Sequence, residues 1–324
     1  MSEMLRIPSG RGQGANVVAL GGGHGLAATL RSLRRVTDDL TAIVGVADNG
    51  GSSGRLREEF DVLPPGDLRM ALAALCGDDT WGRTWSRVVQ HRFGGHGDLA
   101  GHSLGNLLIT ALWEETADAV EGLDWVAALL GAHGRVLPCA SEPMTILADV
   151  EGHGTIAGQV QVATTSGRVN RVWVEPALPA AVPDAVLAVR EADVVVMGPG
   201  SWFTSVIPHL LVPELAAALS DTSARRVLVL NLNPDPETQG YDIANHIDVI
   251  AAHAPTLRFD VVLADSRFVT DEDAIRAAAG RVGAHVVFTR LGYDDPRRAG
   301  QHDPDLLASA LAPIIEHGRI SAWP

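Results

Sequence analysis

The sequence predicts an α/β fold of the Rossmann-like, doubly wound type, with a mostly parallel sheet and an inserted β-hairpin region. The apolar runs at 16–20 and 193–197 are continuous rather than alternating, which is typical of parallel strands buried on both faces. Each run ends in a glycine-rich turn, and leucines at helical spacing follow the first turn. This repetition of strand, glycine turn and helix indicates βα units, whose crossovers we expect to be right-handed.

The remaining elements follow the same pattern on both sides of a break. A second strand is predicted at 41–47, and the stretch from 66 to about 134 has helical periodicity. After the break, strands are predicted at 227–230, 260–264 and 286–288, and a last helix begins near Asp303.

The break, at about 136–176, has the alternating pattern of antiparallel strands. Apolar and polar residues alternate at 156–162 and again at 169–174, on either side of a turn at 166–167. We therefore predict a β-hairpin inserted in the α/β domain or attached to its edge.

Length and composition indicate a single domain. The chain has 324 residues, and its first 14 are polar and glycine-rich. We expect residues 1–14 to be a flexible N-terminal segment and residues 15–324 to form one domain. Because no apolar run resembles a signal peptide or a membrane helix, we expect a cytoplasmic protein without membrane insertion.

The charge and the cysteines exclude several classes of function. A formal net charge of −14 opposes non-specific binding to nucleic acid or to an anionic membrane. A phosphate ligand therefore needs a local cluster of arginines and backbone amides. Cys76 and Cys139 provide neither a disulfide framework nor a set of zinc ligands, and we expect both to be buried free thiols.

The first candidate phosphate site is the glycine turn after the first strand. Gly22, Gly23, His24 and Gly25 open the first helix, where glycine lets backbone N–H groups approach an anion and the helix N-terminus adds partial positive charge. The turn differs from the dinucleotide fingerprint, because Leu26 occupies the position of its third glycine. A dehydrogenase is therefore disfavoured.

The second candidate follows the second strand, at 48–57. Its hydroxyls and amides can hold phosphate oxygens, its arginines can neutralise them, and Asp48 can bind Mg²⁺ or a substrate hydroxyl. Asp48 is thus the candidate catalytic and metal-binding residue. The other predicted ligand-binding residues of this segment are Asn49, Gly51, Ser52, Ser53 and Arg55.

Two further segments stand at the starts of predicted helices. Asp67 follows two prolines and a glycine, and a helix N-cap explains it as well as ligand contact does. His102 and Asn106 lie four residues apart, hence on one helical face, and Ser103 between them can cap the helix. For this pair, too, a structural role and a ligand-binding role are equally supported.

The last two candidates follow later strands. Gly198, Gly200 and Ser201 form a second glycine turn suited to an anion. The segment 231–241 is too polar and proline-rich for the core, and its tyrosine can stack on a base while its asparagines read a polar ring edge. Its predicted ligand-binding residues are Asn231, Asn233, Glu237, Thr238 and Tyr241.

In this order and spacing, the six segments resemble the signature of the YvcK branch of the CofD-like family, over roughly residues 16–250. Members of that branch are called gluconeogenesis factors. The resemblance implies that this protein, like them, binds UDP-sugars such as UDP-N-acetylglucosamine and supports cell shape and the flow of carbon to cell-wall precursors. The sister branch, 2-phospho-lactate transferase, uses a nucleotide-activated donor with Mg²⁺.

The resemblance also separates the two branches. The Asp-Asn-Gly-Gly-Ser-Ser-Gly form of the loop at 48–54 is typical of the YvcK side. Asp48 matches an acidic position that both branches share, which implies a metal or substrate role there. The favoured hypothesis is a nucleotide-sugar-binding regulator that forms a homo-oligomer. The alternative is a Mg²⁺-dependent transferase that uses a nucleoside diphosphate donor, with Mg²⁺ as the candidate cofactor.

Overall fold

The computed structural model describes residues 14–232 and 236–316. Residues 1–13 of the expected N-terminal segment lie outside the described residues, as does Asn233. The first half of the chain contains two strands with a helix between them, followed by five more helices and a third strand. In chain order these elements are β1 (Val17–Gly21), α1 (Gly23–Leu33), β2 (Leu40–Val44), α2 (Gly51–Phe60), α3 (Pro65–Leu75), α4 (Thr80–Gln90), α5 (Leu104–Thr116), α6 (Ala119–Leu130) and β3 (Arg135–Pro138).

A small antiparallel sheet follows, in the region of the predicted insertion. Its elements are β4 (Thr145–Val150), β5 (Gly154–Ala157), the short helix α7 (Gln159–Ala163) and β6 (Val169–Glu175), with strand order β5-β4-β6. The insertion thus begins later than predicted, because β3 pairs with β2 in the main sheet.

The prediction of one strand across 156–162 is wrong. Val160 and Val162 lie on α7, because Gly158 adopts a φ of +103° that ends β5. The side chain of Asn49 then accepts the N–H of Val160 at 3.0 Å, and Val162 is fully buried. The hairpin is formed instead by β4 and β5.

The second half returns to βα units. Its elements are α8 (Pro183–Glu191), β7 (Val194–Met197), α9 (Pro213–Asp221), β8 (Arg225–Val229), α10 (Ile243–His253), β9 (Val261–Asp265), α11 (Glu272–Arg281), β10 (His285–Thr289) and α12 (Pro304–Glu316). The predicted helix after 198–201 is a π-helical turn, Trp202–Val206, continued by a 3₁₀ turn, Ile207–Leu211. Within the described ranges no single helix is long and apolar enough to cross a membrane. One pair of helices bent by 84°, Trp202–Leu211 with Pro213–Asp221, meets the criteria of length and apolar composition when the two are taken together.

Seven strands form one sheet in the order β10-β9-β8-β7-β1-β2-β3, and each neighbouring pair is parallel. This confirms the predicted α/β class. From β1 the chain adds β2 and β3 on one side and β7 to β10 on the other. The strand order therefore reverses between β1 and β7, and in doubly wound sheets ligands bind outside the strands' carboxyl ends at such a point.

The core is centred on this reversal. All five residues of β1 are buried, and so are all four of β7, because helices cover both faces of a parallel sheet. α1 packs against β1, α3 and α12. Its N-terminus lies directly after β1, so the switch point places the start of a helix at the carboxyl edge of the sheet.

Candidate functional site

Two glycine turns touch each other at the switch point. The turn after β1 leads into α1, and the turn after β7 leads into the π-helical segment. A Cβ added to Gly25 would lie 2.2 Å from the carbonyl oxygen of Pro199, a distance that no side chain tolerates. Gly198 and Gly200 have φ values of +76° and +152°, which also favour glycine. The two turns therefore require glycine in order to form a common floor.

Asn231, directly after β8, holds the second turn in place. Its Oδ1 accepts the N–H of Gly200 at 3.0 Å, and its Nδ2 donates to the carbonyl of the same residue at 2.9 Å. This pair of bonds fixes the turn's backbone from one side. Contact between Asn231 and a ligand ring stays a prediction.

Glu237 stabilises the segment that follows this turn. Its Oε1 accepts the N–H of Phe203 and its Oε2 accepts the hydroxyl of Thr204, both at 2.8 Å. The side chain is buried, so a carboxylate lies at the N-terminus of the π-helical turn, where negative charge is favourable. Thr238 is also fully buried. These contacts give Glu237 a structural role in holding the turn.

We call the space that the two glycine turns and the loop after β2 border, at the carboxyl edge of the sheet, the crevice, and two carboxylates, Asp67 and Asp48, lie on its α3 side. Asp67, in the first turn of α3, faces the glycine turn after β1: a Cβ added to Gly22 would lie 2.5 Å from its Oδ2, and one added to Gly23 would lie 4.0 Å from its Oδ1. Burial raises the pKa of Asp67 to about 7, the negative charge of Asp48 adds to the rise, and the backbone N–H of Gly23 and the charge of Arg69 oppose it. Near neutral pH, Asp67 can therefore gain or lose a proton.

Asp48 and Ser53 come together against Gly66, a residue that the sequence did not single out. Oδ1 of Asp48 accepts the N–H of Gly50 at 2.8 Å. A Cβ added to Gly66 would lie 2.9 Å from the other Asp48 oxygen and 2.3 Å from the Ser53 hydroxyl. Glycine at position 66 therefore brings the start of α3 against the loop after β2, and the Pro-Pro-Gly-Asp run was the available signal.

A buried hydrogen-bond network connects the segment after β2 to α3 and α5. Nε of Arg69 donates to Oδ1 of Asn106 at 2.8 Å, and Nδ2 of Asn106 donates to the hydroxyl of Ser52 at 3.0 Å. The Ser52 hydroxyl lies 3.0 Å from Nδ1 of His102. Burial, and then the nearby Arg55 charge, lower the pKa of His102, so we assign a neutral ring that accepts the Ser52 proton.

This network places three of the predicted residues in one structural unit. Ser52, His102 and Asn106 are all buried, and Ser103 caps α5 by accepting the N–H of Asn106 at 3.3 Å. The unit ties the first turn of α2 to α3 and α5.

Several predicted residues contact neighbouring loops. Nη2 of Arg55 donates to the carbonyl of Ala100 at 2.8 Å, and Asn49 bonds to α7 through Val160 and Gln161. The Tyr241 hydroxyl donates to the carbonyl of Val169 at 2.5 Å. The contacts of Asn49 and Tyr241 link these segments to the region of the antiparallel sheet, and that of Arg55 links α2 to the loop before α5. Three further predicted residues lie at or near the surface: His24 and Gly51 are exposed and Ser201 is half-buried.

Ser205 is a crevice residue that the sequence prediction did not include. Its hydroxyl would lie 3.3 Å from a Cβ added to Gly22, so it faces the start of α1 across the two turns. Only the folded π-helical turn brings it there, since it lies four residues beyond the glycine turn.

The carboxylates fit one kind of metal site. Among residues 14–232 and 236–316 no group of three or more His, Cys, Asp or Glu side chains is arranged to hold a metal ion. Mg²⁺, however, is commonly held by one or two carboxylates together with the phosphates of a ligand. Asp67, against Gly22 at the start of α1, and Asp48, against the neighbouring Gly66, match that arrangement.

Comparisons with known proteins show the family of the chain. The family model described as 2-phospho-L-lactate transferase CofD matches residues 17–290. The chain is 52% identical over 308 residues to the "Putative gluconeogenesis factor" of Mycobacterium tuberculosis, covering 91% of this chain and 89% of the relative. It is 37% identical over 262 residues to the "Gluconeogenesis factor" of Bacillus subtilis, covering 81% and 82%.

A solved structure has the same fold. The crystal structure of a UPF0052 family protein from Bacillus halodurans superposes with a TM-score of 0.83 at 32% identity. The match covers 91% of this chain and 98% of the other.

Proposed function

Because the chain belongs to the CofD family, we propose that its crevice binds a nucleoside diphosphate sugar, of which UDP-N-acetylglucosamine is the first candidate. The observation that carries the proposal is the contact between the two glycine turns at the N-terminus of α1, with Gly25 against Pro199. The first turn of a helix leaves N–H groups without intrahelical partners, and its partial positive charge favours phosphate. A diphosphate is the ligand that such a double turn suits best.

The proposed role is regulation of carbon metabolism in the cytoplasm, directed to cell-wall precursors and cell shape. Its support is the name "gluconeogenesis factor" carried by relatives at 37–52% identity over most of the chain. In this proposal the bound nucleotide sugar reports precursor supply, and the protein responds to it without turning it over.

A titration calorimetry experiment tests the proposal. UDP-N-acetylglucosamine and, for comparison, GDP are titrated into the full chain with and without Mg²⁺. We expect the UDP-sugar to bind in the micromolar range or tighter without a metal requirement, and to be recovered unchanged. Failure of every uridine nucleotide to bind would contradict the proposal.

A second candidate function is a Mg²⁺-dependent transferase of the 2-phospho-lactate transferase type. The observation that favours it is a pair of carboxylates: Asp67 lies against Gly22 at the start of α1, and Asp48 lies against Gly66, the residue before Asp67. When bound, Mg²⁺ would neutralise phosphate charge in the reaction. The residues' own part would be to hold the ion and to orient the donor's phosphates.

The Asp48→Asn variant separates the two functions. In the transferase, this variant loses Mg²⁺-dependent ligand binding and turnover, whereas Asp98→Asn, at an exposed position, keeps both. In the regulator, Asp48→Asn binds the UDP-sugar at least as well as the wild type, because one negative charge near the diphosphate has been removed.

A further inference from the structure

A cavity of about 410 Å³ lies at the opposite edge of the sheet from the crevice. α1 and α3 both begin at the crevice and end at this cavity, α1 at its C-cap Arg34 and α3 at its C-cap Cys76. The cavity lies within the size range of small-molecule sites. No residue predicted to bind the nucleotide lines it.

The charge of its lining is opposite to that of the whole protein. All 25 basic residues of the chain are arginine, and its formal net charge is −14. One carboxylate, that of Asp78, is among the lining residues. Five arginines line the same cavity: Arg31, Arg34, Arg35, Arg83 and Arg87.

The carboxylates nearby neutralise only part of this charge. Arg34 pairs with Asp78 at 2.5 Å, and Arg35 pairs with Asp305. Arg31 has no carboxylate within ion-pair distance among the residues that the structure describes. Nε of Arg34 is buried without a hydrogen-bond partner, so its donor capacity exceeds what the protein supplies.

The arginines of α4 bond to carbonyl groups instead of acids. Arg83 donates to the backbone carbonyl of Asp78, and Nε of Arg87 donates to the carbonyl of Arg83 at 3.3 Å. Such bonds orient the two side chains and leave their charges uncompensated.

Neutralisation of helix dipoles does not account for five arginines. The C-termini of α1 and α3 each carry about half a negative charge, so the two together offset roughly one guanidinium. Asp78 and Asp305 offset two more. About two positive charges remain, in a cavity whose arginines, apart from the half-buried Arg34, are exposed to solvent.

We propose that this cavity is a second anion site, which binds a small metabolite carrying a phosphate or diphosphate group. Arginine presents a planar fork of donors that matches phosphate oxygens, and the remaining charge suits a dianion or trianion. The site is independent of the nucleotide crevice. It is about 410 Å³ in volume, large enough for a phosphorylated sugar and small for a macromolecular partner.

The test uses pyrophosphate as the probe and the full chain as the protein. Phenylglyoxal labels arginine side chains, and mass spectrometry then reports the labelling of each arginine with and without pyrophosphate. We expect pyrophosphate to lower the labelling of Arg31 and Arg87 at least fivefold and that of Arg190 and Arg276 less than twofold. This readout locates the site whether or not the crevice binds nucleotide.

A pair of variants with the same charge change completes the test. Arg31→Gln/Arg87→Gln changes two exposed cavity residues, and Arg190→Gln/Arg276→Gln changes two exposed residues of α8 and α11. We expect the first pair to weaken pyrophosphate binding at the cavity at least tenfold, and the second to change it less than twofold. Equal protection of cavity and surface arginines, or tighter binding of citrate than of pyrophosphate, would overturn the proposal.

Discussion

Oδ2 of Asp67 would lie 2.5 Å from a Cβ added to Gly22, the N-cap of α1, so a carboxylate of the protein itself lies at the positive end of this helix. An incoming diphosphate must share that end of the helix with Asp67. Because the pKa of Asp67 is raised to about 7, the protein can relieve the repulsion by binding a proton. The crevice thus combines an anion site with a group that titrates near neutral pH.

We predict that nucleotide binding without metal strengthens as the pH falls from 8 to 6. Over this range Asp67 changes from mostly charged to mostly neutral, and the affinity should rise about three- to tenfold. Calorimetric titration with UDP-N-acetylglucosamine at several pH values, in the presence of a chelator, measures this change in affinity. In Asp67→Asn the affinity should be independent of pH and equal to or above the wild-type value at pH 6. An unchanged slope in Asp67→Asn would assign the pH dependence to another group.

The same group makes a prediction about stability. The pKa of Asp67 is raised in the folded state, so its stabilising contribution is complete below the unfolded value near 3.8 and is lost as the pH rises through about 7. Asp67→Asn should therefore be more stable than the wild type at pH 8, by about 1–3 kcal/mol. Urea unfolding at pH 4 and pH 8 tests the prediction, with Asp98→Asn as the exposed control. A difference that is equal at both pH values would contradict it.

We predict that Gly25→Ala separates the two glycine turns. The new Cβ would lie 2.2 Å from the Pro199 carbonyl oxygen, and both are backbone-anchored, so one turn must move. The expected cost is about 1–3 kcal/mol in the free energy of unfolding, with nucleotide affinity reduced at least tenfold. Gly280→Ala is the matched control, because nothing lies within 4 Å of its added Cβ. That variant, on α11, should be slightly stabilised.

The sequence anticipated this part of the site for a physical reason. A continuous apolar run followed by glycines identifies a buried strand and its turn, and parallel strands bring such turns to one edge. Contacts across long stretches of chain leave no such pattern. The Tyr241 hydroxyl bonds to Val169, 72 residues away, and the Asn231 side chain bonds to Gly200. The residue types therefore indicated that these side chains make polar contacts, but not with which residues.

The misassigned insertion has a similar explanation. Val160 and Val162 satisfy the alternation of a strand, which two or three residues do by coincidence. The conformation is decided by Gly158 and by the Asn49 side chain, which bonds to the N-terminus of α7 from 111 residues away. Local sequence contains the first of these and not the second.

We predict that the buried network of Arg69, Asn106, Ser52 and His102 acts as one unit. Asn106→Ala leaves the Nε of Arg69 and the Ser52 hydroxyl without their partner at 2.8 and 3.0 Å, and should destabilise the protein by about 2–3 kcal/mol. Ser52→Ala should cost about 1 kcal/mol. Because the two side chains share a hydrogen bond, the double variant should be less destabilised than the sum of the single ones, by about 0.5–1 kcal/mol. Urea unfolding of the four proteins measures this coupling.

A second double-mutant cycle serves as the control. It combines Asn106→Ala with Ser309→Ala, on the exposed face of α12, in place of Ser52→Ala, and the effects of these two substitutions should add. Additive effects for Ser52 and Asn106 as well would mean that the network's bonds stabilise the fold independently.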